Sequence, residues 1–410
     1  MVSPKGTGET SMRITRSATT VGLALLFLVA TCEPVIATDL LNSCPPLAPA
    51  PSPTGSLGET VDNLVALEMQ RQGLPSMTVE ISKHGVPLYA RAYGYADLTS
   101  CRPARIETPY QIGSVTKQFT AAAILQLQHA GVLNIDSPVL TYLSGYAFDP
   151  RITLRMLLNH TSGLVNYLSF QPPPGWLNGL PENTILTAIA QQPLQFTPGS
   201  AYQYSNSNYF ILGAVIEAVT SLSYWEYLER HILRRADLTH TGPEQSPLAA
   251  SPYTYTNPAV PGTTGLAEGI IPDPSIYFSA GALWSTVADL AKWDAALRDG
   301  AIVSRKAFDE MITPPPSTPT YQDAGVPSTY AMGWVASSPG AVVPVIWHNG
   351  ETLAFTAFNS LELENGFSVA VLTNVDIQTN TPLYPFSVTL INAVCTSSAG
   401  ARICGGDKHD

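Results

Sequence analysis

Charge is scarce in this sequence: only 12% of its 410 residues are Asp, Glu, Lys or Arg. The little there is leans acidic, with 31 Asp and Glu against 20 Lys and Arg, a net charge of −11. A phosphate backbone is bound by a basic face, so nucleic acid is excluded as a partner. Cysteine is sparse too, at five, and none of them stand at the short spacing of a zinc site. The seven histidines are scattered, with no His-Glu-x-x-His, so a metal centre is not expected. No Gly-x-Ser-x-Gly occurs, which removes local support for the nucleophile elbow of an α/β-hydrolase. The apolar run Val21–Ala30 falls well short of the ~20 residues a membrane span needs, and no internal repeat is visible.

What is present describes a folded, exported chain. Hydrophobic residues make up 45%, with 35 Pro and 30 Gly, which suits a large core carrying many loops. Arg13 and Arg16 precede Val21–Ala30, and Val35-Ile36-Ala37 follows with small residues at a cleavage position. Residues 1–37 therefore read as a signal peptide, with Met12 the more usual start, and the protein as secreted or periplasmic. Cys32 follows Thr31, a poor fit to a lipoprotein cleavage site. Export permits disulfides. Cleavage leaves Cys44, Cys101, Cys395 and Cys404, for which three pairings exist. Proximity favours Cys395 with Cys404, leaving Cys44 with Cys101.

Residues 38–57 read as a linker, extended through the Pro-rich stretch 45–54. A domain is expected over 58–395, then a tail over 396–410. Apolar spacing predicts helices over 59–70, from Ser114 to Gly131, over 208–220 and over 287–298, the last capped by Ser285 or Thr286. Alternation and turn residues predict strands over 77–81, 87–93, 341–347, 354–361 and 367–373, with His84-Gly85 and Glu364-Asn365-Gly366 as turns. Strands at both ends with helices between predict an α+β (mixed α/β) fold: a sheet closed by the two termini, with a mainly helical lobe inserted.

Three short motifs carry the chemistry. In Ser114-Val115-Thr116-Lys117 the amine is three residues from the hydroxyl, on the same face of a helix start. A serine hydroxyl needs such a neighbour to become a nucleophile. In Tyr204-Ser205-Asn206 a phenol could work as a base only if a cation such as Lys117 lowers its pKa. In His348-Asn349-Gly350, at a strand end, Gly admits close approach and His offers a donor or partial charge at the site rim. Each alone is weak, and a cap, a turn and a structural histidine explain them better.

Together, Ser-x-x-Lys, Tyr-x-Asn and His-x-Gly in this order resemble the serine beta-lactamase and penicillin-binding protein superfamily. The similarity spans about residues 58–395, and within the superfamily it is greatest to the class C-like branch of DD-peptidases, esterases and D-aminopeptidases. Leu157–Leu164, Phe196–Gly199 and Ser279–Thr286 extend it. The resemblance implies the beta-lactamase/transpeptidase fold, an antiparallel sheet flanked by helices. It implies a Ser114 acyl-enzyme, with Lys117 and Tyr204 sharing the proton transfers and no cofactor. It places the oxyanion between the backbone N–H groups of Ser114 and Glu351, with Asn206, His348 and Gly350 on the substrate. The implied partner is a small ester, amide or D-amino-acid peptide.

Two departures bear on the substrate. A Lys commonly opens the third motif in true class C lactamases, and His348 replaces its full charge with a group usually neutral. That favours esterase, peptidase or amidase chemistry over beta-lactam hydrolysis. Glu351 stands where relatives often have Gly, and its carboxylate would repel an anion, prefer an amine, or face solvent. The alternatives are a class C-type beta-lactamase, or a slowly acylating or silent penicillin-binding protein. His160 matches a family segment with a structural role, and Tyr202, Tyr209, Trp225 and Trp284 read as core.

Overall fold

The first strands form because β-branched and apolar residues alternate with polar ones between left-handed turn residues. His84 and Gly85 both take positive φ, 53° and 74°, the geometry of a tight hairpin turn. That turn joins β1 (Ser76–Lys83) to β2 (Val86–Asp97). Gly366, at φ 71°, makes the matching turn near the other end of the chain. The computed structural model describes residues 40–47, 56–170, 175–257, 265–315, 318–323, 326–337, 345–377 and 383–396. The expected signal peptide, Cys32, most of the Pro-rich stretch, strand positions 341–344 and Cys404 lie outside them, and so does a Cys395–Cys404 pairing.

The chain's two ends meet in one sheet. Besides β1 and β2 it holds β3 (Arg102–Pro103), β4 (Tyr321–Asp323), β5 (Val326–Tyr330), β6 (Val335–Ser337), β7 (Val345–Glu351), β8 (Thr356–Glu362) and β9 (Phe367–Thr373). The order is β3-β2-β1-β9-β8-β7-β6-β5-β4, antiparallel throughout. Pairing of β1 with β9, from Met77↔Thr373 to Lys83↔Phe367, joins the N-terminal and C-terminal halves. The inserted lobe enters after β3 and leaves before β4, as the pattern of strands and helices predicts.

Helices cover both faces. α1 (Ser56–Gln72) and α6 (Leu383–Thr396) pack on the side where Met77, Val79 and Ile81 point. α5 (Val287–Arg298) packs on the other side against β1 and β9. Its N-cap is Thr286, whose hydroxyl accepts from the Asp289 N–H. Cys44 and Cys101 form a disulfide, with Cα atoms 5.5 Å apart.

α2 (Thr116–His129) differs from the amphipathic helix its apolar spacing suggests. Every residue from Thr116 to Leu125 is buried. Polar groups on it find partners inside: Thr120 donates to the Ser279 carbonyl, and Gln118 Oε1 accepts from the Trp293 indole. Phe119 stacks on Trp293 at 4.0 Å between ring centroids. Burying such a ring contributes about 2–3 kcal/mol. α2 is therefore the central helix, between the sheet and the lobe helices α3 (Asn206–Thr220) and α4 (Pro274–Gly281). Nothing in the described residues forms a helix long and apolar enough to cross a membrane.

Candidate active site

Ser114 sits in a 3₁₀ turn, Gly113–Val115, that runs directly into α2. The turn is tight because Gly113 has φ 49°, and a Cβ there would lie 2.7 Å from the Glu351 backbone nitrogen. Gly350 is the counterpart on β7: its Cβ would lie 1.9 Å from the Ile112 carbonyl oxygen and 3.2 Å from the Ser114 nitrogen. Side chains at either position are excluded, so the turn and the strand meet backbone to backbone. The backbone nitrogens of Ser114 and Glu351 are brought to the same junction.

One helical turn on, Lys117 places its amine 2.9 Å from Ser114 Oγ. The amine also meets Asn206 Oδ1 and the Ala280 carbonyl, each at 2.7 Å. Lys117 is fully buried, and burial holds its pKa well below the ordinary lysine range. Tyr204 donates its hydroxyl to Ser114 Oγ at 2.8 Å, and the Lys117 nitrogen lies 4.9 Å from its ring centroid. The first two motifs thus converge on one hydroxyl.

The Ala280 carbonyl has no side-chain signature, although its segment, Ser279–Thr286, carries part of the resemblance. It is aimed by Phe278, which adopts φ 41° and ψ −133° inside α4. Phe278 is held there by packing against Phe210, Tyr224 and Trp225. The next two carbonyls, Ser279 and Ala280, then face Thr120 and Lys117 of α2.

His348 differs from its expected place at the rim. It is buried, at 2% exposure. Its Nδ1 lies 2.6 Å from the Asn349 carbonyl and its Nε2 3.0 Å from the Tyr330 hydroxyl. Burial, then the charge of Lys117, pushes its pKa down to about 3. It offers no charge to a substrate because both nitrogens are engaged and the ring is desolvated. Glu351 is exposed, and its carboxylate accepts from the Asn349 side-chain amide at 3.3 Å.

His160 is structural. Its Nδ1 lies within hydrogen-bond reach of the Ser205 N–H at 3.2 Å and the Asn208 amide at 2.8 Å, and its ring packs 4.3 Å from that of Tyr204. It thereby braces the Tyr204 segment. Tyr209 and Trp284 are buried, and Tyr202 and Trp225 half-buried against the core. Tyr330 was not signalled by any motif, yet it touches both histidines. No group of three His, Cys, Asp or Glu able to hold a metal occurs among the described residues.

Known proteins carry the same framework. A sequence model of the beta-lactamase family matches residues 61–383. The Bacillus subtilis (strain 168) protein PbpX, whose name marks it as a candidate penicillin-binding protein, is 30% identical over 308 residues, covering 75% of this chain and 72% of its own. Protein flp of Staphylococcus aureus (strain MW2) is 26% identical over 79% of this chain, which spans only 64% of flp. The structure of a D-stereospecific amidohydrolase from a Streptomyces species superposes with a TM-score of 0.67 at 26% identity, covering 83% of this chain and 98% of its own.

Proposed function

The chain belongs to the beta-lactamase family, and from that premise we propose that it is an exported serine hydrolase of small esters, amides or D-amino-acid peptides, working through an acyl-enzyme on Ser114. The observation that carries this reading is the meeting of Lys117, Tyr204 and Ser114 around one oxygen, at 2.9 and 2.8 Å.

The contacts support one proton path. A neutral amine has two N–H bonds and one lone pair. Asn206 Oδ1 and the Ala280 carbonyl accept the two N–H groups, which turns the lone pair toward Ser114. Burial keeps the amine neutral enough to serve as base. The Ser114 proton passes to Lys117 as Oγ bonds to the substrate carbonyl carbon. The resulting oxyanion is received by the N–H groups of Ser114 and Glu351, a contribution on the order of 10²–10³ in rate per donor. As the tetrahedral adduct collapses, Tyr204 gives its proton to the leaving group and regains one from Lys117. Water then attacks the ester on Ser114, with the same groups acting in reverse.

The neutral, enclosed His348 favours uncharged or cationic substrates over carboxylates, and so ester or amide cleavage over beta-lactam hydrolysis. A penicillin-binding or lactamase role is the second reading, favoured by the identity to PbpX. Intact mass with peptide mapping after exposure to a fluorophosphonate, a penicillin and a cephalosporin separates them. The expected outcome is a fluorophosphonate adduct on Ser114, lost in Ser114→Ala, with no lasting penicillin adduct and no beta-lactam turnover. A persistent penicillin adduct or rapid lactam turnover would move the assignment to the second reading. No adduct from any reagent would overturn both in favour of a silent binding protein.

A further inference from the structure

The third motif's histidine is held by a residue that no motif names. A carbonyl oxygen only accepts, so the 2.6 Å contact with Asn349 puts the proton of His348 on Nδ1. In a neutral ring, Nε2 then carries a lone pair, and the Tyr330 hydroxyl 3.0 Å away is its donor. Tyr330 is the last residue of β5 and is itself buried. Its ring stands edge-on to His348 (5.6 Å, 88°), to His160 (4.5 Å, 64°) and to Tyr204 (5.8 Å, 75°). Tyr209, the next phenol in this cluster, reaches the Leu158 carbonyl at 2.7 Å and also shares a side-chain hydrogen bond with Tyr330, which leaves the Tyr330 proton for His348 when Tyr209 is the donor between them. The groups facing His348 are thus Lys117 from α2, His160, Tyr204 from the segment before α3, and Tyr330 from β5.

Given the serine-hydrolase reading, on which this rests, we propose that Tyr330 is a positioning residue: its hydroxyl proton, donated to His348 Nε2, fixes the Nδ1–H tautomer and keeps that ring uncharged beside Tyr204. With Nδ1 already protonated, a further proton on Nε2 would put a positive charge on a ring enclosed beside the Lys117 amine and leave the Tyr330 hydroxyl without its acceptor. Both are costly where water is excluded. His348 then acts as a rigid neutral wall for Tyr204, and Tyr330 influences the reaction through it.

A double-mutant cycle tests this, read as the second-order rate of fluorophosphonate labelling at Ser114. Tyr330→Phe should slow labelling about tenfold, the worth of one buried hydrogen bond. In the His348→Asn background the same change should slow it less than about twofold, because the partner through which Tyr330 acts is gone. Equal slowing in both backgrounds would mean a merely structural role and would overturn the proposal. Nitrogen-15 NMR of the wild-type histidines supplies an arm that does not depend on any variant folding. His348 should show the Nδ1–H tautomer from pH 5 to 8, and an Nε2–H or titrating ring would overturn the proposal. If the wild type forms no Ser114 adduct, it is the hydrolase reading that fails, and the tautomer measurement still decides the role of Tyr330.

Discussion

Burial acts on two ionisable groups in opposite directions, one in the site and one under the sheet. Lys117 is enclosed between α2, α3 and α4, and losing water favours its neutral amine, a base. Glu80 of β1 points toward α5, near Asp289 and Lys292, and losing water favours its neutral acid. Its pKa rises to about 7, through burial first and the Asp289 carboxylate second, against a smaller opposing pull from Lys292. The same desolvation thus prepares a reagent in one place and a pH-sensitive joint in another. The difference lies in the partners: two carbonyls and a hydroxyl aim the amine, whereas a like-charged neighbour opposes ionisation of the acid.

The largest effect should come from breaking the first half of this comparison. Lys117→Met keeps a similar buried volume but removes the amine, and acylation of Ser114 should slow on the order of a thousandfold in single-turnover kinetics. A loss of only twofold would remove Lys117 from its role. The variant should also change stability against pH. The folded-state pKa of Lys117 is depressed, so between that value and the ordinary lysine range the unfolded chain binds more protons, and stability rises with pH. Denaturant titrations should find that alkaline rise flattened in the variant.

Glu80 gives the opposite slope. Its folded pKa, about 7, lies above its ordinary value of 4.5. Between those values the folded state binds more protons, so its contribution is fully present below pH 4.5 and is lost as pH rises through 7. The full difference is roughly 3 kcal/mol. Glu80→Gln should flatten this segment of the stability curve while leaving Ser114 labelling unchanged. A wild-type stability that does not fall between pH 4.5 and 7 would break the contrast.

The smallest effect belongs to a carboxylate that stays in water. Glu351 is exposed and held by Asn349. Glu351→Gln keeps the backbone N–H and should change kcat/KM for neutral esters less than about threefold, with a modest gain for anionic ones. A tenfold change on neutral esters would place its side chain, and not only its backbone, in the reaction.

Much of this was legible in the residues. The range Val287–Arg298 and its cap at Thr286 follow from periodicity and cap chemistry, and the strand Phe367–Thr373 from its apolar run after the Glu364-Asn365-Gly366 turn. Ser114, Lys117 and Tyr204 were legible because their types are rare in such company. The burial of α2 all round was not, since Thr116, Gln118 and Thr120 are polar and find their partners only in tertiary contacts. The Ala280 carbonyl is backbone and leaves no mark in composition. Tyr330 sits 18 residues before His348 in an ordinary strand, and only the pairing of β5, β6 and β7 brings the two together. The enclosure of His348 followed from the same invisibility.

The contact between Gly113 and Gly350 bears on how such a protein can change. The spacing of the two N–H groups at Ser114 and Glu351 is set by main-chain geometry across that contact, without any side chain as a shim. Substitutions in the surrounding loops can therefore reshape what is admitted without detuning what receives the negative charge. A lineage built on this junction is free to explore new substrates, while a single added methyl at either glycine closes the route.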